Sequence, residues 1–449
     1  MAKPTPVNDL LAQLAHGPAT AGDLGASLGV SQPTVSRRLA QVRDRVVRIG
    51  QGRATRYAAA RAAFGAGDSI PVYTVADNGL VSEIGRLRPL GGGYYLESGR
   101  QPWWALGESG TGWFDALPYF LEDARPQGFL GRHEANRLSR QEGYPNDPRQ
   151  WSEDRVGTYL VNHGADLPGN LLFGRRALDA YQGLVHPLIR NPDSAYPELA
   201  ERTLAGGPIG SSAGGEQPKF TAWARAGHVI VKFSPRRESQ AGSRWADLLV
   251  AEHLAGREIT KAGIPYADTA LLTLGDRYYL ETNRFDRAGE HGRMASFSLA
   301  AIDAEFAGLG EGWIAVAERL HAQGLLDAES HHRAVIWAAT FGEWIGNTDM
   351  HLHNLSLAPG DRGFTLLPLY DMCPMGFAPR YGEIHPYHPR TPVRTLTNAT
   401  IWEDAGVAAG RFWAAVATDA RVSDAFRAIA QDCAAEVARV LGGNGVRFE

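Results

Sequence analysis

FGEWIGNTDMHLHNLSL, residues 341–357, carries the densest chemistry of the chain. It sets Asp349 and Asn354 apart by four intervening residues. Phosphoryl-transfer loops use that Asp-x-x-x-x-Asn interval: the carboxylate takes the proton of an attacking hydroxyl, and the amide oxygen holds a metal. The same stretch contains His351 and His353, a His-x-His pair of the kind that binds zinc in barrel hydrolases. On its own the loop admits both chemistries. Only 96 residues follow His353, and their histidines, His385 and His388, lie in a Pro-rich segment, a poor supply of further zinc ligands. His351, between the two candidates, is read as orienting phosphate or Asp349, and His353 as a histidine bonded to backbone in a packed loop.

The flanking segments favour phosphoryl transfer. Downstream, FTLLPLYDMCP predicts an apolar strand over 364–369 that ends in Tyr370-Asp371. A turn over 359–363 makes it a hairpin with NLSL, which brings Asp371 toward Asn354 as a second hard oxygen ligand for Mg²⁺. Upstream, GHVIVKFSP embeds Lys232 among Val229, Ile230, Val231 and Phe233. A lysine in a β-branched run is costly to bury unless it is paired, and this is the placement of a phosphate-holding strand lysine. The next helix carries Trp245, Leu248, Leu249 and Glu252 on one face, so Glu252 is the expected partner of Lys232. An edge-strand lysine that snorkels to solvent is the plain alternative. The small residues of PIGSSAGGEQPK, 208–219, allow a backbone loop to close around an anion, although they lack both the Walker spacing and Gly-x-Gly-x-x-Gly. Taken alone, the loop reads more readily as a plain surface turn. ETNRFD, 281–286, follows the strand-like DRYYLE at the point where an inter-lobe hinge would fall.

At 449 residues, two or three structural units are expected. With 44% hydrophobic and 21% charged residues the composition is globular. Two cysteines, Cys373 and Cys433, exclude a disulfide framework, and no apolar run reaches the roughly 18 residues that span a bilayer. The first residues lack an export pattern, so a cytoplasmic protein without membrane contact is expected. The net charge of −4 hides an asymmetry: residues 1–61 hold nine basic and three acidic residues, a net of +6. All eight arginines of that segment fall between Arg37 and Arg61, a footprint suited to a phosphate backbone.

That basic segment reads as a winged helix-turn-helix. Leu10, Leu11 and Leu14 form a first apolar stripe. Thr20 and Asp23 predict a capped second helix, Gly29 a tight turn, and Ser31 the cap of a third helix with Val35, Leu39 and Val42 inward. Strand-like residues 46–49 and 53–57 flank the turn Gly50-Gln51-Gly52 as a hairpin wing. Gln32, Thr34, Ser36, Arg37 and Arg38 on the third helix, with Arg53 and Arg56 on the wing, are the candidate DNA contacts. A three-helix protein-docking module is the alternative. Beyond it, residues 70–97 look strand-like around an Asp77-Asn78-Gly79 turn. The aromatics Trp103, Trp104, Trp113, Phe114, Tyr119 and Phe120 read as packing.

SSAGGEQPKF, VIVKFSP, ETNRFDR, GNTDMHLHNLSL and LPLYDMCP, in that order, resemble the HipA family of bacterial serine/threonine kinases, the toxins of toxin–antitoxin systems. LGVSQPTVSRRLAQV resembles the winged helix of bacterial transcription regulators, as in the HipA variants with a fused DNA-binding module. The resemblance implies a multidomain α+β chain: a winged helix-turn-helix over 1–62, a kinase-like α/β N-lobe over 63–285, and an all-helical C-lobe over 286–449. It implies ATP held by Ala213, Gly214, Gly215, Glu216, Gln217 and Lys219, by Lys232, and by the hinge Asn283, Arg284 and Phe285, with His351, Asn354, Tyr370 and Asp371 completing the site. Asp349 would be the base, assisted by His351, with Mg²⁺ on Asn354 and Asp371. Autophosphorylation of Ser212, with Ser211 beside it, would switch the kinase off. His353 stands where the family often has lysine, and Asn283 where an acidic residue is common. Family substrates include aminoacyl-tRNA synthetases, so a protein substrate and halted translation are implied by resemblance only. Double-stranded DNA is the second expected partner, and the symmetry of such a site would suggest a dimer. A DNA-binding regulator that only senses nucleotide is the competing function.

Overall fold

The computed structural model describes residues 6–97, 102–206, 217–225, 227–326 and 328–443. Two compact units emerge, the first comprising Met1–Arg125 with Arg149–Leu184 and the second Pro126–Pro148 with Val185–Glu449.

The first unit begins with three short helices, Pro6–Leu14, Ala21–Leu28 and Gln32–Gln41. Thr20 and Asp23 form a reciprocal capping box that satisfies the first N–H groups of the second helix. Gly29, at φ 64°, ends that helix in the left-handed conformation that glycine adopts without a Cβ clash. Ser31 departs from expectation: its hydroxyl makes no cap bond and pairs with Thr34 Oγ1 at 3.0 Å. Leu10, Leu14, Leu24, Val35, Leu39 and Val42 close one small core between the helices. Strands Val46–Ile49 and Arg56–Ala59 follow as an antiparallel hairpin, with Val46 opposite Ala59 and Ile49 opposite Arg56. Val47, Ile49 and Ala58 pack against Leu90 of the next sheet. There the backbone approaches closely, since a Cβ on Gly91 would lie 2.3 Å from the Leu14 carbonyl. Only glycine fits that seam.

That next sheet has five antiparallel strands in the order Trp113–Phe114, Gly93–Glu97, Val81–Leu90, Ile70–Val75, Leu171–Phe173. The Asp77-Asn78-Gly79 turn forms as expected, with Gly79 at φ 82° and the Leu80 N–H donated to Asn78 Oδ1 at 3.0 Å. Trp104, Phe114, Tyr119 and Phe120 are buried, which agrees with packing. The expected lobe over 63–285 is therefore divided. Leu171–Phe173 pairs with Ile70–Val75, and 149–184 belong to the first unit, whereas the sheet that carries Lys232 belongs to the second.

The second unit has its own antiparallel sheet, ordered Thr269–Leu274, Arg277–Asn283, Gly227–Phe233, Lys219–Ala224. The 22-residue helix Gln240–Lys261 follows its strand Gly227–Phe233, and buries Leu248, Leu249, Ala251 and Glu252. Helices Trp313–Ala322, Glu329–Ile345, Trp402–Thr418 and Asp424–Gly442 make up most of the remainder. This part is not all-helical as expected. Phe297–Ser298, Ser356–Pro359 and Phe364–Leu366 form a three-stranded sheet, because the hairpin over 356–366 finds a third strand to pair with. The strand expected over 364–369 stops at Leu366, and Leu369 instead forms a parallel bridge with Tyr266. Among the described residues, no helix is long and apolar enough to cross a membrane.

Candidate active site

Lys232 stands on the central strand Gly227–Phe233, opposite Leu280 on one neighbouring strand and Lys219 on the other. It is only 6% exposed. The helix Gln240–Lys261 presents Glu252, 1% exposed, whose two oxygens accept from Lys232 Nζ at 2.6 and 2.7 Å. The ammonium also pairs with the Asp371 carboxylate. Burial pushes the lysine pKa down from its ordinary range, Glu252 opposes that, and the Lys219 charge adds to the lowering. Two carboxylates on one buried ammonium are the compensation that a lysine inside a strand requires. The snorkelling alternative does not hold.

Asp371 reaches this lysine by way of a backbone clamp. Leu369 N–H donates to Pro265 O at 2.9 Å, and Ala267 N–H donates to Leu369 O at 2.8 Å. Met372 N–H then donates to the Tyr266 hydroxyl at 3.3 Å. Between these anchors Asp371 adopts φ 56°, a left-handed conformation that aspartate tolerates better than most side chains. Non-glycine residues held this way concentrate where geometry is functional.

The loop 346–354 begins where helix Glu329–Ile345 is stopped by Gly346 at φ 75°. Asn347 is buried, and its Oδ1 accepts the Asp349 N–H at 3.0 Å, a local turn that aims residue 349 outward. Asn354 Nδ2 donates to the Asp349 carbonyl at 2.7 Å, which locks the amide and turns its oxygen away from that bond. His351 Nε2 lies 3.8 Å from Asp349 Oδ1, both side chains being half exposed. Trp313 Nε1 donates to the His351 carbonyl at 2.9 Å. The two arms of the hairpin are joined by Tyr370, whose hydroxyl donates to His353 O at 2.8 Å and so accepts from Ser356 Oγ at 2.9 Å. Thus the backbone beside Asn354 and the residue before Asp371 are one hydrogen bond apart. Tyr370 also packs on Phe285, ring centroids 5.6 Å apart.

Other candidates are divided. Gln217 and Lys219 lead into the sheet, and the Gln217 Nε2 is buried with no hydrogen-bond partner among the described residues. Ala213, Gly214, Gly215 and Glu216, with Ser211 and Ser212, lie outside the described residues. Asn283 ends its strand with its N–H on Asp268 O at 2.8 Å. Arg284 does not offer an open guanidinium: it grips Asp286 through two bonds of 3.0 and 2.8 Å, so the hinge would act through backbone. His351 and His353 rings are 5.9 Å apart, and among the described residues no third ligand group joins them in a metal-sized cluster. The residues that sequence reading missed are supports: Asn347, Tyr266 and Trp313. The Gly346-Asn347 pair signalled a turn; the other two act across long sequence separations and carry no local signal.

In the first unit, Gln32, Ser36, Arg37 and Arg56 are exposed, while Thr34 and Arg38 are half-buried. The Arg53 side chain lies outside the described residues.

Residues 66–182 match the family model of a YjjJ-like toxin, middle domain, and residues 211–441 match that of the HipA-like C-terminal domain. The curated Toxin YjjJ of Escherichia coli strain K12 is 36% identical over 447 residues, which cover 97% of this chain and 98% of that protein. A solved HipA of Shewanella oneidensis MR-1, from a complex with HipB and operator DNA, superposes with a TM-score of 0.57 at 16% identity. That match covers 83% of this chain and 97% of the HipA chain, a likeness in fold. The chain belongs to the HipA-like toxin family.

Proposed function

We propose that this protein is an ATP-dependent serine/threonine protein kinase of the HipA toxin type, with its own DNA-binding module. The observation that carries the reading is the buried Lys232, held by Glu252 and paired with Asp371. Protein kinases place a strand lysine on nucleotide phosphates and fix it with a helix glutamate, and a downstream aspartate holds metal. Asn354 and Asp371 supply hard oxygen donors, the donor set that suits Mg²⁺. Bound there with ATP, the metal would neutralise charge on the phosphates. Asp349, aimed outward by Asn347, would accept the proton of a substrate hydroxyl, and His351 would orient that carboxylate or a phosphate oxygen. The Gln217 Nε2, without a partner among the described residues and at the edge of the Gly-rich segment, is a donor suited to a phosphate oxygen. Ser212 is the proposed inactivating autophosphorylation site, and a cellular protein the substrate whose modification arrests growth.

Residues 1–62 form, in this reading, a winged helix-turn-helix that binds double-stranded DNA. Its support is the exposed Gln32, Ser36 and Arg37 on the third helix and Arg56 on the hairpin. The HipB and operator DNA in the structure of the fold relative make DNA and an antitoxin reasonable partners for this chain.

The test is incubation of the intact protein with labelled ATP and Mg²⁺, alone and with cell extract, followed by phosphosite mapping. Label on Ser212, Ser211 or an extract protein is expected. Nucleotide binding without any transfer would favour the DNA-binding regulator that only senses nucleotide.

A further inference from the structure

In the first unit a cavity of about 390 Å³ opens beside the five-stranded sheet. Arg86 lines it from strand Val81–Leu90, and Arg175 and Arg176 line it from the start of helix Arg175–Gln182. Ser69 and the buried Tyr73 contribute hydroxyl-bearing side chains, and the buried Val161 an apolar wall. Among the described residues no carboxylate lines it. Small-ligand pockets commonly hold about 300–1,000 Å³, so the space suits a small molecule.

The three guanidiniums are engaged differently. Arg176 Nη1 donates to Asn162 Oδ1 at 2.9 Å, a neutral partner that orients the fork without cancelling its charge. Arg175 bonds the Tyr73 side chain and pairs with Asp179 at 3.0 Å. Arg86 pairs with Glu83 at 2.9 Å. Both ion pairs are exposed at each end, and such pairs contribute little in water. An incoming anion can therefore draw these two guanidiniums toward itself. Gly174, at φ 87°, precedes the helix without a side-chain cap, so the positive end of that helix adds to a field the arginines already set. Guanidinium forks match phosphate and carboxylate oxygens in pairs. Three forks around one cavity suit a group with several charged oxygens, which is phosphate rather than carboxylate.

We propose that this cavity binds a small phosphate-bearing molecule, its phosphate held by Arg86, Arg175 and Arg176 and its body resting on Val161. The strand that carries Arg86 ends at Leu90, which packs against Val47, Ile49 and Ala58 of the N-terminal hairpin. The cavity and the hairpin wing thus share one strand. The proposal does not depend on the kinase reading.

The experiment titrates the full-length, nucleotide-free protein with inorganic pyrophosphate by calorimetry in the presence of EDTA. One saturable event per chain is expected. Arg86→Ala/Arg176→Ala should weaken it at least tenfold. Arg176→Lys, which keeps the charge but loses the fork, should weaken it less. Both arginines are exposed, so matching ligand-free thermal midpoints are expected and would show that the variants fold. Lys219→Ala should bind as the wild type does; loss of binding there would place the anion at the nucleotide site and overturn the proposal. Undiminished binding by the double variant would overturn it too, as would binding only at tens of millimolar, the mark of an adventitious ion only. Absent pyrophosphate binding, together with a salt slope of DNA binding that falls by about two in the double variant, would make these arginines DNA-backbone contacts instead.

Discussion

Asp349 and Lys232 differ in what surrounds them, and their substitutions should differ accordingly. Asp349 is half exposed, and its carboxylate has only the half-exposed His351 ring 3.8 Å away, so Asp349→Gln should leave stability nearly unchanged. Its expected effect is a fall of about 10²–10⁴-fold in phosphate transfer, with ATP binding retained, as for a lost general base. Glu252→Ala is a different experiment. It strips a buried ammonium of one of its two carboxylate partners, and breaking a buried pair in this way costs about 3–5 kcal/mol. A urea midpoint that barely moves would show that Asp371 alone suffices for Lys232. These two side chains were legible beforehand for a simple reason. A lysine in a β-branched run and a glutamate on an apolar helix face each contradict their surroundings, and each contradiction resolves the other. Asp371 was legible only as an acidic residue after a strand. Its left-handed backbone and the Tyr266 clamp depend on contacts about a hundred residues back and left no local mark.

Among the elements, short-range features were read best. The capping box at Thr20, the Gly29 stop and the hairpin after Val46 are all settled within a few residues. Sheet membership is not. Leu171–Phe173 joins Ile70–Val75 across about a hundred residues, a pairing with no local signal. The short strand Phe297–Ser298 likewise made the helical part a mixed one. One contact between elements offers a stability test. Asp247 on the long helix is buried, and it accepts from the N–H and hydroxyl of Ser423 at 2.7 and 2.6 Å, where helix Asp424–Gly442 begins. Asp247→Ala would leave that helix end without its partner, a loss of about 1–3 kcal/mol measurable by chemical denaturation. On the third helix of the first unit, Arg37→Ala with Arg38→Ala should weaken DNA binding. It should also reduce the slope of log affinity against log salt by about two, one per lost phosphate contact. An unchanged slope would favour the protein-docking alternative.

Whole-molecule behaviour adds pH and ligand linkage. Burial lowers the pKa of His133, His228 and His253 below the ordinary 6.5. As pH falls through 6.5 the unfolded chain takes up these protons first, so stability declines until the folded histidines also titrate. Above that window they contribute no pH dependence. The urea midpoint at pH 5.5 should therefore fall below that at pH 7.5, and a flat profile would contradict these burials. Saturating Mg²⁺–ATP should stabilise the native chain by about 2.7 kcal/mol at a hundredfold excess over Kd. The central claim is that Lys232, Asp349, Asn354 and Asp371 form one phosphate-transferring site, and phosphate transfer tests it most directly. Wild-type protein incubated with γ-labelled ATP and Mg²⁺ should acquire or pass on label, while Asp349→Gln, still binding ATP, should not. Label transfer by Asp349→Gln at the wild-type rate would contradict the account.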